Sequence, residues 1–403
     1  MHRDYVEKCQ HNGRTAVSLA KYRQIFKSYN LGFFKPKKDQ CGKCLRFSAL
    51  SENEKKSEQE CHDAHLLRKK LAREARNGDK LAAVANPSIL AFNFDLESVL
   101  NTPKGPSGQI FYMRKLPVYN LTIYNLGNGD GHCYLWDETQ GRRGAVEIAS
   151  CVYSYVMSMD NVKEVRMMSD GCGGQQKNHL FMSMCMLLCR THPTLQVVDH
   201  KFFETGHTEM ECDSIHSKIE SASKNIPVYV PEGWAQVIRG CRRNPRPFEV
   251  HSVRHDEFLQ FECSAPKLPI QSVCWLHYQK NKPHSVFYKK SFLDEDFIER
   301  SVLPEQPREQ PAKESRVRGR PARRQGRGRP ARGASRGEQS TPSIPKAYPH
   351  PLPIAIPKLK DLHTMIDKLI IPRAHHNYYL NLTSDELVRD ALPEPDIEED
   401  ESD

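Results

Sequence analysis

Three aspartates stand where an apolar run stops or a helical one starts. Asp95 closes SILAFNFD, Asp170 closes VKEVRMMSD, and Asp213 opens DSIHSKIESASKN. Carboxylates converging from separate elements are the ligands that hard divalent cations require. Two such ions about 4 Å apart activate a water or hydroxyl and offset charge on the leaving oxygen of a phosphodiester. The expected cofactor is therefore Mg2+ or Mn2+, and the expected chemistry is strand cleavage. Glu147, early in a helical pattern, and Glu220 are further acidic candidates; Asp213, His216 and Glu220 share a broad helical face, with His207 just upstream. Gly171, Gly173 and Gly174 are expected to let the backbone turn away after Asp170 without a Cβ clash and to admit a phosphate, with Gln175 and Asn178 holding water behind the ligands. Taken singly, each acid reads as a turn former or a helix cap, Asp213 above all. The three at matching places carry the metal-site expectation.

A second constellation lies upstream. Cys41 and Cys44 in DQCGKCLRF have the two-residue gap that lets two thiolates reach one Zn2+. Cys61 and His65 lie four apart in a long basic helical pattern and share a face. The expected Zn2+ ligands are Cys41, Cys44, Cys61 and His65, with His62 the alternative to Cys61. A chance pair is the competing reading, because the chain holds 13 cysteines scattered through apolar segments.

A third pattern is basic. RGRP occurs twice, as Arg318, Gly319, Arg320, Pro321 and as Arg327, Gly328, Arg329, Pro330. An extended backbone without a side chain at glycine fits the narrow minor groove of A·T tracts, and flanking arginines enter its negative potential. Duplex DNA is the expected partner; RNA is the competitor for Arg-Gly sequence.

Elements must hold these residues in place. Residues 1–80 read as a basic helical module carrying the zinc ligands. From 87 to 225 three strand-like runs precede a helix, and strands and helices then alternate, in the order β-β-β-α-β-α-β-α. That is the order of an α/β ribonuclease-H-like mixed sheet with flanking helices, a fold whose acids end the first and fourth strands and sit on the last helix. Residues 226–300 read as an α+β extension and 303–345 as a disordered Arg/Gly/Pro linker. Residues 346–390 read as a helical unit, with His375 and His376 as packing or surface residues, and 391–403 as a disordered acidic tail. A formal net charge of +9, concentrated in a few segments, points to a polyanionic partner. No apolar run is long enough to span a membrane and no signal-peptide pattern opens the chain, so the thiols are expected free or metal-bound in a reducing compartment, cytosol or nucleus.

FDLESVL, LPVYNLTIYN, the W-x-E…G-x-RG-x-x-EIASC segment, SDGCGGQQKN and GHT-x-M-x-x-D-x-x-H-x-x-IE together resemble the DUF7869 family of arthropods, carried in many near-copies per genome and similar to ribonuclease-H-like transposases. The upstream KYRxIF…KPKKDxCxxC…H segment resembles the same family, and the likeness covers about residues 5–300 and 348–382. It picks out Asp95, Asp170, Asp213 and Glu220, with Cys41, Cys44 and His65; Cys61 and the RGRP linker fall outside it. It implies a ribonuclease-H-like fold and a transposon origin; with the acids and the basic segments, the expected function is that of a DNA-binding nuclear protein that cleaves or transfers DNA strands with Mg2+, or a domesticated scaffold whose core has lost catalysis. The chain opens directly in a helical segment, so a DNA-binding part is expected to precede it.

Overall fold

The structure is a computed structural model and describes residues 2–29, 40–301 and 344–390. Both RGRP copies (318–321 and 327–330), nearly all of the 303–345 linker and the acidic tail 391–403 lie outside the described residues.

The chain divides into two compact units, Met1–Ser51 and Glu52–Asp403. The first holds α1 (His2–His11), α2 (Leu19–Ser28) and α3 (Gly42–Ala49). Ser18 caps α2 by accepting from the Lys21 amide at 3.3 Å, and the rings of His2, Tyr5 and Tyr22 gather beside it.

The second unit begins with α4 (Glu52–Ala85), a 34-residue helix rich in charge. Its buried residues are His65, Ala72, Asp79 and Ala83, a narrow stripe spaced by whole numbers of turns. That stripe, rather than propensity, seats the helix. Lys201 donates to Asp79 at 2.6 and 2.8 Å in an ion pair of which neither side chain is more than 6% exposed.

The rest of this unit is built on one sheet. In chain order its elements are β1 (Ile89–Leu96), β2 (Leu100–Thr102), α5 (Gly108–Phe111), β3 (Leu116–Asn125), β4 (Gly131–Asp137), α6 (Ala145–Met157), β5 (Glu164–Ser169), α7 (His179–Thr191), β6 (Val197–Phe202), α8 (Glu211–Ser223), α9 (Pro231–Gly240), β7 (Glu249–Ser252), β8 (Trp275–Gln279), β9 (Ser285–Lys289) and β10 (Ile298–Ser301). Ten strands form a mixed sheet of order β10-β9-β8-β6-β5-β1-β3-β4-β7, with β2 beside β3. β1 runs antiparallel to β3 and parallel to β5; β5 and β6 are parallel. The segment read as a separate extension supplies strands to both ends of this sheet: β7 pairs with β4, and β8 with β6. Likewise, the division at Glu52 assigns the long basic helix to the unit of the sheet rather than to the N-terminal helices.

Successive side chains of a strand point to opposite faces. On β1 the row Leu90, Phe92, Phe94 and Leu96 enters the main core with α6 and α7. The alternate row Ala91, Asn93, Asp95 and Glu97 faces the other way, the side that α4 and α8 cover. A second core under α8 and α9 joins Val118, Cys133 and Leu135 to Ile215, Trp234 and Phe248. Packing there is close enough that a Cβ on Gly131 would stand 2.6 Å from Ile215 Cδ1, a contact that only glycine avoids. α10 (Ile356–Asp367) and α11 (His376–Leu380) cover Ile110 and Leu116. Among the described residues no helix is long and apolar enough to cross a membrane.

Candidate metal-binding acidic site

Asp95 projects from the polar row of β1, Asp170 follows the last residue of β5, and Asp213 sits in the first turn of α8. β1 and β5 are parallel neighbours, so their ends present both acids at one edge. Burial first, and then the charges of Asp170 and Asp213, push the Asp95 carboxyl up to about 7. Asp95 therefore feels both of the other acids. The loop before α6 adds a cation: Arg143 draws Asp95 back down.

Donor atoms of Asp95, Asp213 and His216 all lie within 4.8 Å of one another. His216 Nε2 meets Thr122 Oγ1 at 3.0 Å, and burial lowers its pKa to about 4, so the ring is neutral and keeps a lone pair for a cation. Asp213 also does the capping work its position suggests: its Oδ2 accepts from the Met210 amide at 2.8 Å. A carboxylate has a second oxygen, so capping and ligation are compatible here.

Asp170 is held from its own loop. Its Oδ1 accepts from the Cys172 amide at 3.2 Å and from the Gln176 side chain. Burial raises its pKa, while the Cys172 amide and the charge of Lys177 oppose the rise. Gln176, not Gln175 or Asn178, is thus the partner of the acid. Asn178 instead caps α7, accepting from the Phe181 amide at 3.0 Å and donating to the carbonyls of Gly173 and Gln175. None of Gly171, Gly173 and Gly174 adopts a positive φ, so the turn does not depend on glycine's conformational freedom.

Two expected acids lie elsewhere. Glu147 is buried in α6 on the main-core side, accepting from the Arg142 amide at 2.8 Å and from the Tyr348 hydroxyl; it fastens a loop. Glu220 acts on Glu97, a carboxyl that burial pushes up to about 8 against the opposing 2.7 Å hydrogen bond from Asn120. Asn93 and, just beyond the strand, Glu97 continue the polar row of β1, Asn93 donating to Glu211 at 2.5 Å. The period-2 alternation that placed Asp95 could have found both.

The expected zinc ligands divide between the units. Within the first, the sulfurs of Cys41, at the N-cap of α3, and Cys44 are within 4.8 Å of each other. Within the second, His65 Nε2 faces His207 Nε2 at 3.2 Å, and the Glu204 carboxylate meets His65 Nδ1 at 2.9 Å. A carboxylate behind one nitrogen fixes the tautomer that turns a lone pair toward a metal. His207 follows Gly206, whose φ of +81° makes the turn that aims it. Cys61 is exposed on α4 and belongs to no cluster of metal-type donors among the described residues, which removes it from the set.

A cavity of about 410 Å³ is lined by Trp136, Gln140, Glu232 and Arg254, with none of the three acids in its wall. Asp213 is exposed, whereas Asp95 and Asp170 are half-buried. No family model, no curated protein and no solved structure matches this chain.

Proposed function

We propose that this protein is a DNA-binding, Mg2+- or Mn2+-dependent nuclease or strand transferase of transposon origin, built on a ribonuclease-H-like core and acting in the nucleus. The observation that carries the reading is the convergence on Asp95 of the charges of Asp170 and Asp213, at the ends of adjacent parallel strands and the start of α8. The strand order β4-β3-β1-β5-β6, with only β3 reversed against both its neighbours, is the order that topology requires and supports the same reading.

A buried carboxyl raised further by two neighbouring acids marks a place that favours a cation. Asp95, Asp213 and His216 would hold it, with Asp170 at its side. The chemistry a divalent ion supplies there is activation of a water and neutralisation of a leaving oxygen. The chain's own contribution is placement: Thr122 orients His216, the Met210 amide orients Asp213, and Gln176 with the Cys172 amide holds Asp170. Arg143 and Lys177 bring positive charge to the two strand ends, where a phosphate must approach. The RGRP copies would supply duplex affinity remote from the cut.

Zn2+ is the proposed ion for the Cys41–Cys44 thiolates, and the His65–His207 imidazoles have the same preference. Zinc counting should show less bound Zn2+ after Cys41→Ser than in the wild type; an unchanged count would remove the thiolates from the proposal.

The deciding experiment is nicking of labelled duplex DNA by the purified chain in Mg2+ or Mn2+, with Asp95→Asn and Asp170→Asn beside it. Metal-dependent cleavage lost in both variants is the expected result. Intact duplex binding without cleavage favours the second reading, a domesticated DNA-binding scaffold, to which the engagement of Asp170 by Gln176 already lends weight.

A further inference from the structure

The edge of the sheet formed by β7 carries another donor set. β7 pairs in parallel with β4, with His132 opposite Glu249 and Tyr134 opposite His251. His132 Nδ1 lies 3.4 Å from His251 Nε2 and 3.3 Å from Glu249 Oε2. The donor atoms of all three residues fall within 4.8 Å of one another.

These separations discriminate. A neutral N–H···N or N–H···O bond closes to about 2.9–3.0 Å. Ligands bound at about 2.0–2.1 Å around a tetrahedral ion sit about 3.3 Å apart. The two separations from His132 Nδ1 are therefore long for a strong hydrogen bond and match the spacing of ligands on one cation. The rings are also held in place. Tyr134 stacks on His251 with centroids 4.6 Å apart and planes at 16°, and Tyr155 lies 4.9 Å from His132. A cavity of about 150 Å³ lined by Tyr134, Ser150, Cys151, His251 and Glu257 adjoins the ring of His251.

We infer that His132, His251 and Glu249 form a transition-metal site that latches β7 onto β4. Two imidazoles and one carboxylate select a borderline divalent ion, Zn2+ first, and disfavour Mg2+, which prefers oxygen. Two ligands come from a strand of only four residues at the end of the sheet, where backbone pairing alone is weak. The ion ties that short strand to the buried His132. The site shares no residue with the acids, the thiolates or the His65–His207 pair.

The test is amide hydrogen exchange of the 249–252 segment in the untagged full chain, stripped with chelator and then given Zn2+ alone or Mg2+ alone. Zn2+ is expected to slow exchange there roughly tenfold or more, and Mg2+ to leave it unchanged. His251→Gln and Glu249→Gln, both on the accessible strand, should abolish the zinc effect while the rest of the sheet exchanges as before. Equal rates with and without Zn2+ in the wild-type chain overturn the inference. So does slowing that survives in both variants, because the zinc would then be acting from another site.

Discussion

At the scale of single residues, charge and burial are set against each other near the ends of the central strands. His200 on β6 is fully buried, meets Ser169 Oγ at 2.9 Å, and has its pKa lowered by burial, and then by Lys177, to about 3. Ser169 in turn donates to the carbonyl of Asp170 at 3.0 Å, so the neutral imidazole backs the acid-bearing turn. In the unfolded chain this histidine titrates near 6.5, and between that value and about 3 only the unfolded state takes the proton. Stability is therefore complete above the unfolded value and falls as pH drops through this window, by up to about 1.4 kcal/mol per pH unit from this group. Urea titrations from pH 7 to 4 should show that slope in the wild type and a shallower one in His200→Gln; parallel curves would remove His200 from the account. Nothing in the sequence around His200 announces this role. Its neighbours in VVDHKF are ordinary strand residues, and burial depends on α7 and on the neighbouring strands.

At the scale of elements, runs of apolar residues ending in an acid marked β1 and β5, and helical spacing marked α6 and α7. The mixed α/β sheet with flanking helices was legible for that reason: each of these segments buries one complete face, and periodicity reports burial. β7 was not legible. EVHS is four residues with no apolar alternation, and it finds its place through β4 rather than through its own pattern. The seat of α4 was equally hidden, because its contact stripe includes a histidine and an aspartate. That aspartate gives a test. Asp79→Asn leaves Lys201 buried without its charge partner and should cost about 3–5 kcal/mol, whereas Asp79→Leu with Lys201→Met together should cost much less. Thermal unfolding of the two variants measures the difference. Similar losses in both would mean that packing of α4, not the ion pair, dominates.

At the scale of the whole molecule, the excess of positive charge is the property that would meet the proposed polyanion. Four arginines of the RGRP copies, Arg318, Arg320, Arg327 and Arg329, account for a large share of the +9 formal charge. If these arginines meet phosphates as proposed, replacing all four with alanine should lower the slope of log affinity against log salt by about 3–4, at roughly 0.9 per phosphate contact. Fluorescence anisotropy on an A·T-rich duplex across a salt series reads this directly. An unchanged slope would move duplex binding to the folded units.

The two-sided row of β1 constrains how this chain can change over time. Its even-numbered residues from Leu90 to Leu96 fill the core, and its odd-numbered ones from Ala91 to Glu97 face α4 and α8. A one-residue deletion inside the strand would exchange the rows, putting phenylalanines toward the acids and Asp95 into hydrocarbon. A two-residue deletion would restore the sides but shift Asp95 by about 7 Å along the strand, away from Asp213. Point substitutions can therefore accumulate here while length cannot, and among divergent copies β1 should be a stretch where alignments carry no gaps.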